Sequence, residues 1–170
     1  MLRDGYAMRN LVDEGLHLAR AAHEIEQPLL VDLESLLDSV VADATDAGQG
    51  VSYRVRSGME FTLAPNSIGR CLANLVANAA VHGGGDVEIV VGQTNEGVTI
   101  DVSDRGPGIP EDQIEGVVQP FIRSPSSRGT GLGLTIAKML AERNGASLRL
   151  LNRAGGGLTA RLCLLVHGRV

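Results

Sequence analysis

Apolar residues recur at three- and four-residue spacing in four stretches of this chain, and each stretch predicts a helix that packs through one face. The first stretch is amphipathic and ends before Pro28, because proline restricts the residue that precedes it. The second begins at Asp32, a residue type that caps helix N-termini, and the third opens on Pro65. The four predicted helices run over residues 8–25, 32–48, 65–83 and 132–144.

Alternating apolar and polar residues predict strands between these helices. Residues 51–55 alternate, and residues 61–63 are predicted to form their partner strand after the turn at Ser57-Gly58. The remaining predicted hairpins pair residues 86–91 with 98–102 and residues 147–151 with 158–166, and a lid-like connection covers residues 110–128. This order predicts an α/β fold: a two-layer sandwich with a mixed, mostly antiparallel sheet and helices on one face, preceded by one N-terminal amphipathic helix.

Composition narrows the class of protein. With 170 residues, 44% hydrophobic and 21% charged, the chain can form one main domain with a short appendage. Aromatic residues make up only 2%, so base stacking on an aromatic platform is not expected, and the net charge of -5 argues against nucleic acid as a partner. Because no apolar run is long enough to span a membrane, we expect a cytoplasmic location, as a free protein or as the cytosolic part of a membrane sensor.

The two cysteines, Cys71 and Cys163, lie far apart in the sequence among apolar neighbours and do not form a Cys-x-x-Cys pair. A metal site or a redox pair would normally show closer spacing. Buried thiols are therefore the expected role.

The chemistry-bearing residues are two glycine clusters that follow a predicted helix rich in asparagine. Asn74 and Asn78 lie one turn apart on that helix, Asp104 begins an Asp-x-Gly-x-Gly turn, and Gly129 begins a Gly-x-Gly-x-Gly loop. One glycine triplet alone is weak evidence, but these three features in this order predict a nucleotide pocket.

Each feature suits one part of a nucleotide. The carboxylate of Asp104 can accept the hydrogen bond that a buried adenine amino group must donate. The glycines of its turn let the backbone approach the base without Cβ clashes. The later loop leads into a helix, so its free N–H groups and the helix dipole face the phosphates. The Asn78 carbonyl oxygen is a hard ligand of the kind that Mg²⁺ accepts beside water and phosphate.

With these motifs, residues 29–170 resemble the catalytic ATP-binding domain of bacterial sensor histidine kinases, a family in the wider class of gyrase, the Hsp90 chaperones and MutL. The resemblance implies ATP and Mg²⁺ as cofactors and Asn78 as the metal ligand. The residues that it places around the nucleotide are Asn74, Asn78, His82, Asp104, Gly106, Gly108, Ile109, Gly129, Thr130, Gly131, Leu132, Gly133 and Thr159.

Plainer alternatives remain open for several of these residues. Asp104 and its glycines are also typical of an ordinary turn, and residues 129–133 of a flexible loop. Asn74 suits a solvent-facing helix position, and Thr159 suits any strand. Phe121 matches the phenylalanine that flanks the family's lid, or it serves as a local hydrophobic plug.

Two positions depart from the family's pattern. The Lys or Arg that usually follows the metal-binding Asn by three residues is Val81 here, with His82 beside it, where it can contact a phosphate or line the pocket. The first aromatic residue of the lid motif is replaced by Val118. A missing cation weakens stabilisation of the transferring phosphoryl group, so both departures bear on catalysis more than on nucleotide binding.

Asn74 bears on the type of reaction. ATP hydrolases and serine kinases of the wider class carry at this position a Glu that can act as a general base, whereas Asn74 is neutral. A histidine acceptor is nucleophilic as the neutral imidazole near pH 7 and needs less help. The chain is therefore predicted to be an enzyme, the catalytic part of a protein histidine kinase. The alternatives are a degenerate, non-catalytic nucleotide-binding or dimerisation module and an ATP hydrolase clamp.

The segment from His23 to Pro28 matches the family's acceptor signature, His-Glu-x-x-x-Pro. In the family, however, a full helix separates the acceptor from the ATP-binding domain, whereas only three residues separate Pro28 from Asp32 here. We therefore expect residues 1–28 to be the end of the second hairpin helix with its linker, and residues 29–170 to be the catalytic domain. The implied partners are an acceptor hairpin on the same or a partner chain, a response regulator, and a second copy in a full-length homodimer.

Overall fold

A computed structural model of the chain describes residues 12–13, 15–16, 19–20, 23, 25–119 and 132–166. Residues 12, 13, 15, 16, 19 and 20 are helical, within the span predicted for the first helix. Half of that helix's predicted apolar stripe lies outside the described residues, as do Phe121 and the predicted loop residues Gly129, Thr130 and Gly131.

The described elements alternate between short strands and helices. In chain order they are β1 (Leu29–Asp32), α1 (Leu33–Asp46), β2 (Val51–Arg54), β3 (Glu60–Leu63), α2 (Pro65–Gly83), β4 (Val87–Thr94), β5 (Gly97–Ser103), a 3₁₀ turn (Glu111–Gln113), α3 (Gly133–Arg143), β6 (Ala146–Asn152) and β7 (Leu158–Leu165).

The strands form two sheets. The main sheet has five strands in the order β2-β4-β5-β7-β6, and β1 pairs with β3 in a separate two-stranded sheet. Within the main sheet β2 runs parallel to β4, whereas the β4–β5, β5–β7 and β7–β6 pairs are antiparallel. The sheet is thus mixed and mostly antiparallel, with β5 at its centre, and the predicted fold class is confirmed.

The core lies between the main sheet and the helices. Alternate residues of the strands face the helices and are buried, among them Ile89, Ile100 and Leu162, each with 0% exposure. The opposite face carries polar side chains, including Arg161, whose guanidinium donates two hydrogen bonds of 2.7 Å to Asp101 across the β5–β7 pair. The sheet therefore presents one apolar and one polar face, as the sequence predicts.

Local sequence accounts for the helix ends. Asp32 caps α1, accepting a hydrogen bond of 3.3 Å from the Glu34 N–H. α2 opens on Pro65 and ends at Gly83, and its C-cap residue Gly84 is in the left-handed conformation with φ 65°. The start of α2 has no cap from its own N-cap side chain. Instead, Glu26 of the preceding segment accepts hydrogen bonds from two N–H groups there, those of Asn66 at 2.9 Å and Ser67 at 2.8 Å.

Burial by itself acts to raise the pKa of Glu26, but the hydrogen bonds from Asn66 and Ser67 outweigh it, so the pKa lies below its ordinary value. The ionised carboxylate is also favoured by the positive end of the helix dipole. The hydrogen bonds of Glu26 therefore hold the segment that precedes β1 against the start of α2.

The strand pairing near the N-terminus differs from the prediction. Residues 51–55 and 61–63 do not form a hairpin: β3 pairs with β1, and β2 pairs with β4. The segment Leu29–Asp32 was not predicted as a strand at all, because four residues between a proline and a helix cap are too few to show alternation. The β2–β4 pair is parallel and encloses α2 in its connection, so no turn signal marks it.

Burial of the cysteines agrees with the prediction for Cys71, which is fully buried, whereas Cys163 is only partly buried. Burial raises the pKa of the Cys71 thiol to about 12, so it remains a thiol near neutral pH. Both cysteines are free. Within the described ranges, no helix is both long and apolar enough to cross a membrane.

Candidate nucleotide-binding site

One face of α2 carries the predicted Asn74, Asn78 and His82 at four-residue intervals. The Asn74 side chain is half-buried, and its Nδ2 donates a hydrogen bond of 2.8 Å to the carbonyl oxygen of Arg70 one turn earlier. Asn78 is half-buried and His82 is exposed. The three side chains form a polar stripe that runs from the middle of α2 to its C-terminal end.

Asp104 follows β5 and is 5% exposed, and within the described part of the chain it is the one charged residue that is buried. Its Oδ1 accepts two backbone hydrogen bonds, from Gly106 N–H at 2.9 Å and from Leu158 N–H at 3.1 Å. Oδ2 has no donor among the described residues. The carboxylate is therefore oriented by the backbone through one oxygen and retains the other as an acceptor for a ligand.

The Asp104 turn packs directly on the end of α2. A Cβ placed on Gly83 would lie 2.4 Å from the Cβ of Asp104, and a Cβ on Gly106 would lie 2.5 Å from the carbonyl oxygen of His82. Only glycine permits these approaches. The turn that carries Asp104 and the stripe that carries Asn78 thus meet. Gly83, predicted from the sequence only as a helix end, is part of the contact.

The turn between β6 and β7 holds the other side of the Asp104 turn. Arg153 Nη1 donates a hydrogen bond of 2.8 Å to the carbonyl oxygen of Asp104, and Asp104 N–H donates one of 2.9 Å to that of Leu158. Asn152 makes two hydrogen bonds to the backbone of Ile109: Oδ1 accepts from the N–H at 2.9 Å, and Nδ2 donates to the carbonyl oxygen at 2.6 Å.

Asn152 and Arg153 were missed from the sequence because side-chain to backbone contacts between distant segments leave no periodicity. The only available signal was the polar pair itself, which Ala154 separates from the three glycines 155–157. Gly157 shows why glycine is needed in this turn: it adopts φ 107°, and a Cβ there would lie 2.1 Å from the carbonyl oxygen of Asp104. The two turns are in contact along their backbones.

The start of α3 lies beside Asn74. A Cβ on Gly133 would be 3.9 Å from Asn74 Oδ1, and Leu132, the N-cap residue, is buried and makes no side-chain cap. The Leu132 side chain therefore accepts no hydrogen bond from the first N–H groups of α3. An anion can bind at a helix start only where such N–H groups are free of a cap. Gly129, Thr130 and Gly131, predicted to complete this phosphate loop, lie outside the described residues.

Thr159, which the resemblance places around the nucleotide, has a side-chain hydroxyl that contacts another hydroxyl of the sheet. Its Oγ1 lies 2.8 Å from Ser103 Oγ, and both side chains are buried. Ser103 and Thr159 are register partners on β5 and β7, on the sheet face opposite to Asp104, which packs against α2. The side-chain hydroxyl therefore supports the strand pair beneath the turn, and the contact with the Asp104 carboxylate comes from the N–H of Leu158.

The two departures from the family's pattern lie near the site. Val81 is 50% exposed on α2, next to His82. The carbonyl oxygen of Val118 accepts a hydrogen bond of 3.2 Å from Thr135 Oγ1, which ties the segment before residue 120 to the first turn of α3.

Magnesium would have to be bound here by few protein ligands. No group of three or more His, Cys, Asp or Glu side chains that could hold a metal occurs within the described ranges. Asn78, half-buried and without a side-chain hydrogen bond among those residues, offers one amide oxygen. This donor set fits Mg²⁺ bound together with a nucleotide, since Mg²⁺ usually takes few protein ligands and retains water and phosphate oxygens.

Comparison with protein families identifies the fold and its class. The sequence profile described as "Histidine kinase-, DNA gyrase B-, and HSP90-like ATPase" matches residues 64–167, which include α2, the Asp104 turn, α3 and the β6–β7 hairpin. The chain belongs to this family. The prediction that it is the ATP-binding catalytic domain of a sensor histidine kinase is confirmed, and the non-catalytic and hydrolase alternatives are not favoured.

The curated relatives are sensor kinases. The chain is 38% identical over 159 residues to the sensor protein CseC of Streptomyces coelicolor, covering 92% of this chain and 30% of CseC. It is 34% identical over 142 residues to the histidine-protein kinase AfsQ2 of the same organism, covering 80% of this chain and 26% of AfsQ2. The chain thus spans less than a third of the length of these two relatives.

Solved structures agree. The ATP-binding domain of PrrB from Mycobacterium tuberculosis aligns with a TM-score of 0.70 at 27% identity, covering 84% of this chain and 100% of that domain. Full-length ShkA in complex with AMPPNP aligns with a TM-score of 0.78, covering 96% of this chain and 38% of ShkA. At 24% identity, the second likeness concerns the fold alone.

Proposed function

We propose that this domain binds Mg-ATP and donates the γ-phosphoryl group to a histidine on a separate helical hairpin, from which it passes to a response regulator. The observation that carries the proposal is the Asp104 carboxylate, held through Oδ1 by two backbone N–H groups and retaining Oδ2 beside the polar stripe of α2. This arrangement suits the amino group of adenine.

In this proposal different parts of the site bind the base, the phosphates and the metal ion of Mg-ATP. Asp104 accepts from the adenine amino group, and the start of α3 with residues 129–133 binds the phosphates through backbone N–H groups. Asn78 holds Mg²⁺, which neutralises charge on the phosphates during transfer. Asn74 and Gly83 are about 13 Å apart along α2, so the phosphate and base ends of the site are separated along the same helix.

The absence of a general base at Asn74 favours histidine as the acceptor. In the transfer, the bond between the γ-phosphorus and the bridging oxygen breaks, ADP leaves, and a phosphorus–nitrogen bond forms to the acceptor imidazole. Neutral imidazole attacks without first losing a proton, whereas water and serine need a base. Asn74 itself is held to the Arg70 carbonyl and carries no charge.

The wider assignments are also part of this proposal. Residues 1–28 would be the end of the second hairpin helix with its linker, and His23, which is exposed in a turn, would be a linker residue. The full-length protein would act as a homodimer with its acceptor hairpin on the same or the partner chain. We place the domain in the cytoplasm, where ATP is available.

Replacing Asp104 by Asn tests the proposal. Asn retains an oxygen for the N–H groups of Gly106 and Leu158, and so places a donor NH₂ where the adenine amino group needs an acceptor. Losing a hydrogen bond to a charged group costs about 1.5–3 kcal/mol, so ATP affinity should fall by about tenfold or more. Asp43→Asn, on the exposed end of α1, is the matched control. Titration calorimetry with Mg-ATP measures both.

The second part of the test supplies a purified acceptor hairpin with labelled ATP. Acid-labile, alkali-stable label on the added hairpin is the expected result. Steady phosphate release without an acceptor would favour a hydrolase, label on His23 would show that it is a true acceptor, and failure of the wild-type chain to bind ATP would overturn the proposal.

A further inference from the structure

The turn from Asp104 to Ile109 contains the groups proposed to face adenine, and it is held differently at its two ends. At the Asp104 end, the backbone continues the ladder between β5 and β7, and Arg153 Nη1 binds the carbonyl oxygen. At the Ile109 end, the only hydrogen bonds to the backbone among the described residues come from the side chain of Asn152.

The Asn152 amide matches the Ile109 backbone in both directions. Its oxygen accepts from the N–H at 2.9 Å and its nitrogen donates to the carbonyl oxygen at 2.6 Å, so one side chain satisfies both polar groups of one residue. Only an amide side chain offers a donor and an acceptor in this arrangement. The contact is close, because a Cβ on Gly108 would lie 2.6 Å from Asn152 Oδ1.

The turn between Asp104 and Ile109 contains two glycines, so the hydrogen bonds at its Ile109 end matter for its conformation. Gly106 and Gly108 have wide conformational freedom, and Gly108 adopts φ 74°, which other residues rarely take. Ordering such a segment costs conformational free energy whenever a ligand requires one conformation. If the segment is already ordered before the nucleotide arrives, that cost does not reduce the binding affinity.

We propose that Asn152 is a positioning residue for nucleotide binding, which fixes the Asp104–Ile109 turn in its binding conformation through the backbone of Ile109. The proposal rests on the proposed function, because it assumes that this turn receives adenine. Asn152 acts through Ile109 and the turn. The β6–β7 hairpin thereby contributes to nucleotide affinity.

The test uses Asn152→Ala, which removes both hydrogen bonds, and Asn152→Asp, which retains the acceptor for the Ile109 N–H but lacks the donor. Asn95→Ala is the matched control, because Asn95 lies in the β4–β5 hairpin turn and its side chain makes no hydrogen bond among the described residues. Each hydrogen bond contributes about 0.5–1.5 kcal/mol, so ATP should bind about tenfold more weakly to Asn152→Ala. Asn152→Asp should bind ATP at least about threefold more weakly, because its second carboxylate oxygen would face the Ile109 carbonyl oxygen to which Nδ2 now donates.

The second measurement is amide hydrogen exchange in the chain without nucleotide. Exchange at Gly106 and Ile109 should become faster in Asn152→Ala, while exchange in the central strands β5 and β7 stays as in the wild type. The same variant should show a more unfavourable entropy of nucleotide binding in calorimetry, because the turn must then be ordered on binding. A purely structural role would instead accelerate exchange throughout the sheet.

Two results would overturn the proposal: ATP affinity within twofold of the wild type in both Asn152 variants, or exchange that is faster across the whole sheet in both of them. If the wild type itself does not bind ATP, the proposed function fails, and exchange at Gly106 and Ile109 still decides whether Asn152 orders the turn. If Asn152→Ala does not fold, Asn152→Asp provides the comparison.

Discussion

Replacing Gly83 by Ala tests the contact on which the site geometry depends. Gly83 is the last residue of α2, it is buried, and it faces the Asp104 side chain. A Cβ there would lie 2.4 Å from Asp104 Cβ and 3.0 Å from Asp104 Cγ. Carbon atoms in ordinary contact are about 3.5–4.0 Å apart, so either the helix end or the Asp104 turn must move by more than about 1 Å.

The magnitude follows from two opposing terms. Overpacking of this kind costs about 1–3 kcal/mol, and the better helix propensity of Ala returns at most about 1 kcal/mol. In a chain of this size each kcal/mol shifts the unfolding temperature by about 2–4 °C, so a loss of a few degrees is expected. Because the displacement moves the Asp104 carboxylate itself, we expect the affinity of the folded chain for ATP to fall by about tenfold or more.

Gly85→Ala is the control, since Gly85 is two positions further along and a Cβ there has no atom within 4 Å. It should bind ATP like the wild type and unfold at the same or a slightly higher temperature, because Ala restricts the unfolded chain. Calorimetry of ATP binding and thermal unfolding compare the two variants directly. If Gly83→Ala matched Gly85→Ala in both measurements, the packing of Asp104 on the end of α2 would be refuted.

Two further predictions concern groups with shifted pKa values. Because folding lowers the pKa of Glu26, its contribution to the free energy of unfolding is present above the ordinary value of 4.5 and is lost as the pH falls through the lower folded value. Glu26→Gln should therefore destabilise the chain by about 1 kcal/mol at pH 7, with the difference from the wild type vanishing in acid, as measured by denaturant unfolding across pH. A difference that did not change with pH would contradict this reasoning. Cys71, whose thiol pKa is raised to about 12 by burial, should resist a thiol reagent at pH 8 until the chain unfolds, whereas the partly buried Cys163 should react first. Equal labelling rates for the two thiols in the folded chain would contradict it.

Most elements could be predicted because local sequence determines them. The helices have a clear apolar face, and Asp32, Pro65 and Gly145 mark where they begin or end. The β4–β5 and β6–β7 hairpins join neighbouring strands through short turns. The pairing of β3 with β1 and of β2 with β4 could not be predicted in the same way, since each partner is chosen by packing across a helix and not by a turn.

The same distinction between local and distant contacts applies to the residues of the site. Asp104 and its glycines could be found because a base-binding turn requires particular residue types at fixed spacing in one short segment. Asn152 and Gly83 could not, because their importance depends on which backbone they approach: Asn152 binds Ile109, 43 positions earlier in the chain, and Gly83 contacts Asp104. Thr159 shows that a suitable residue type is not sufficient: its hydroxyl lies against Ser103, on the face of the sheet opposite to Asp104.

The contacts between the β6–β7 turn and the Asp104 turn also determine when the site can form during synthesis. Every sequence motif of the pocket up to Gly133 leaves the ribosome before β6 and β7, which begin at Ala146 and Leu158. Until then β5 lacks its neighbour on one side, and the Asp104 turn lacks its partners at Leu158, Arg153 and Asn152. A nascent chain halted near residue 145 would therefore carry the motifs without the ability to bind ATP, and capture on an ATP resin should begin only when the final hairpin has emerged.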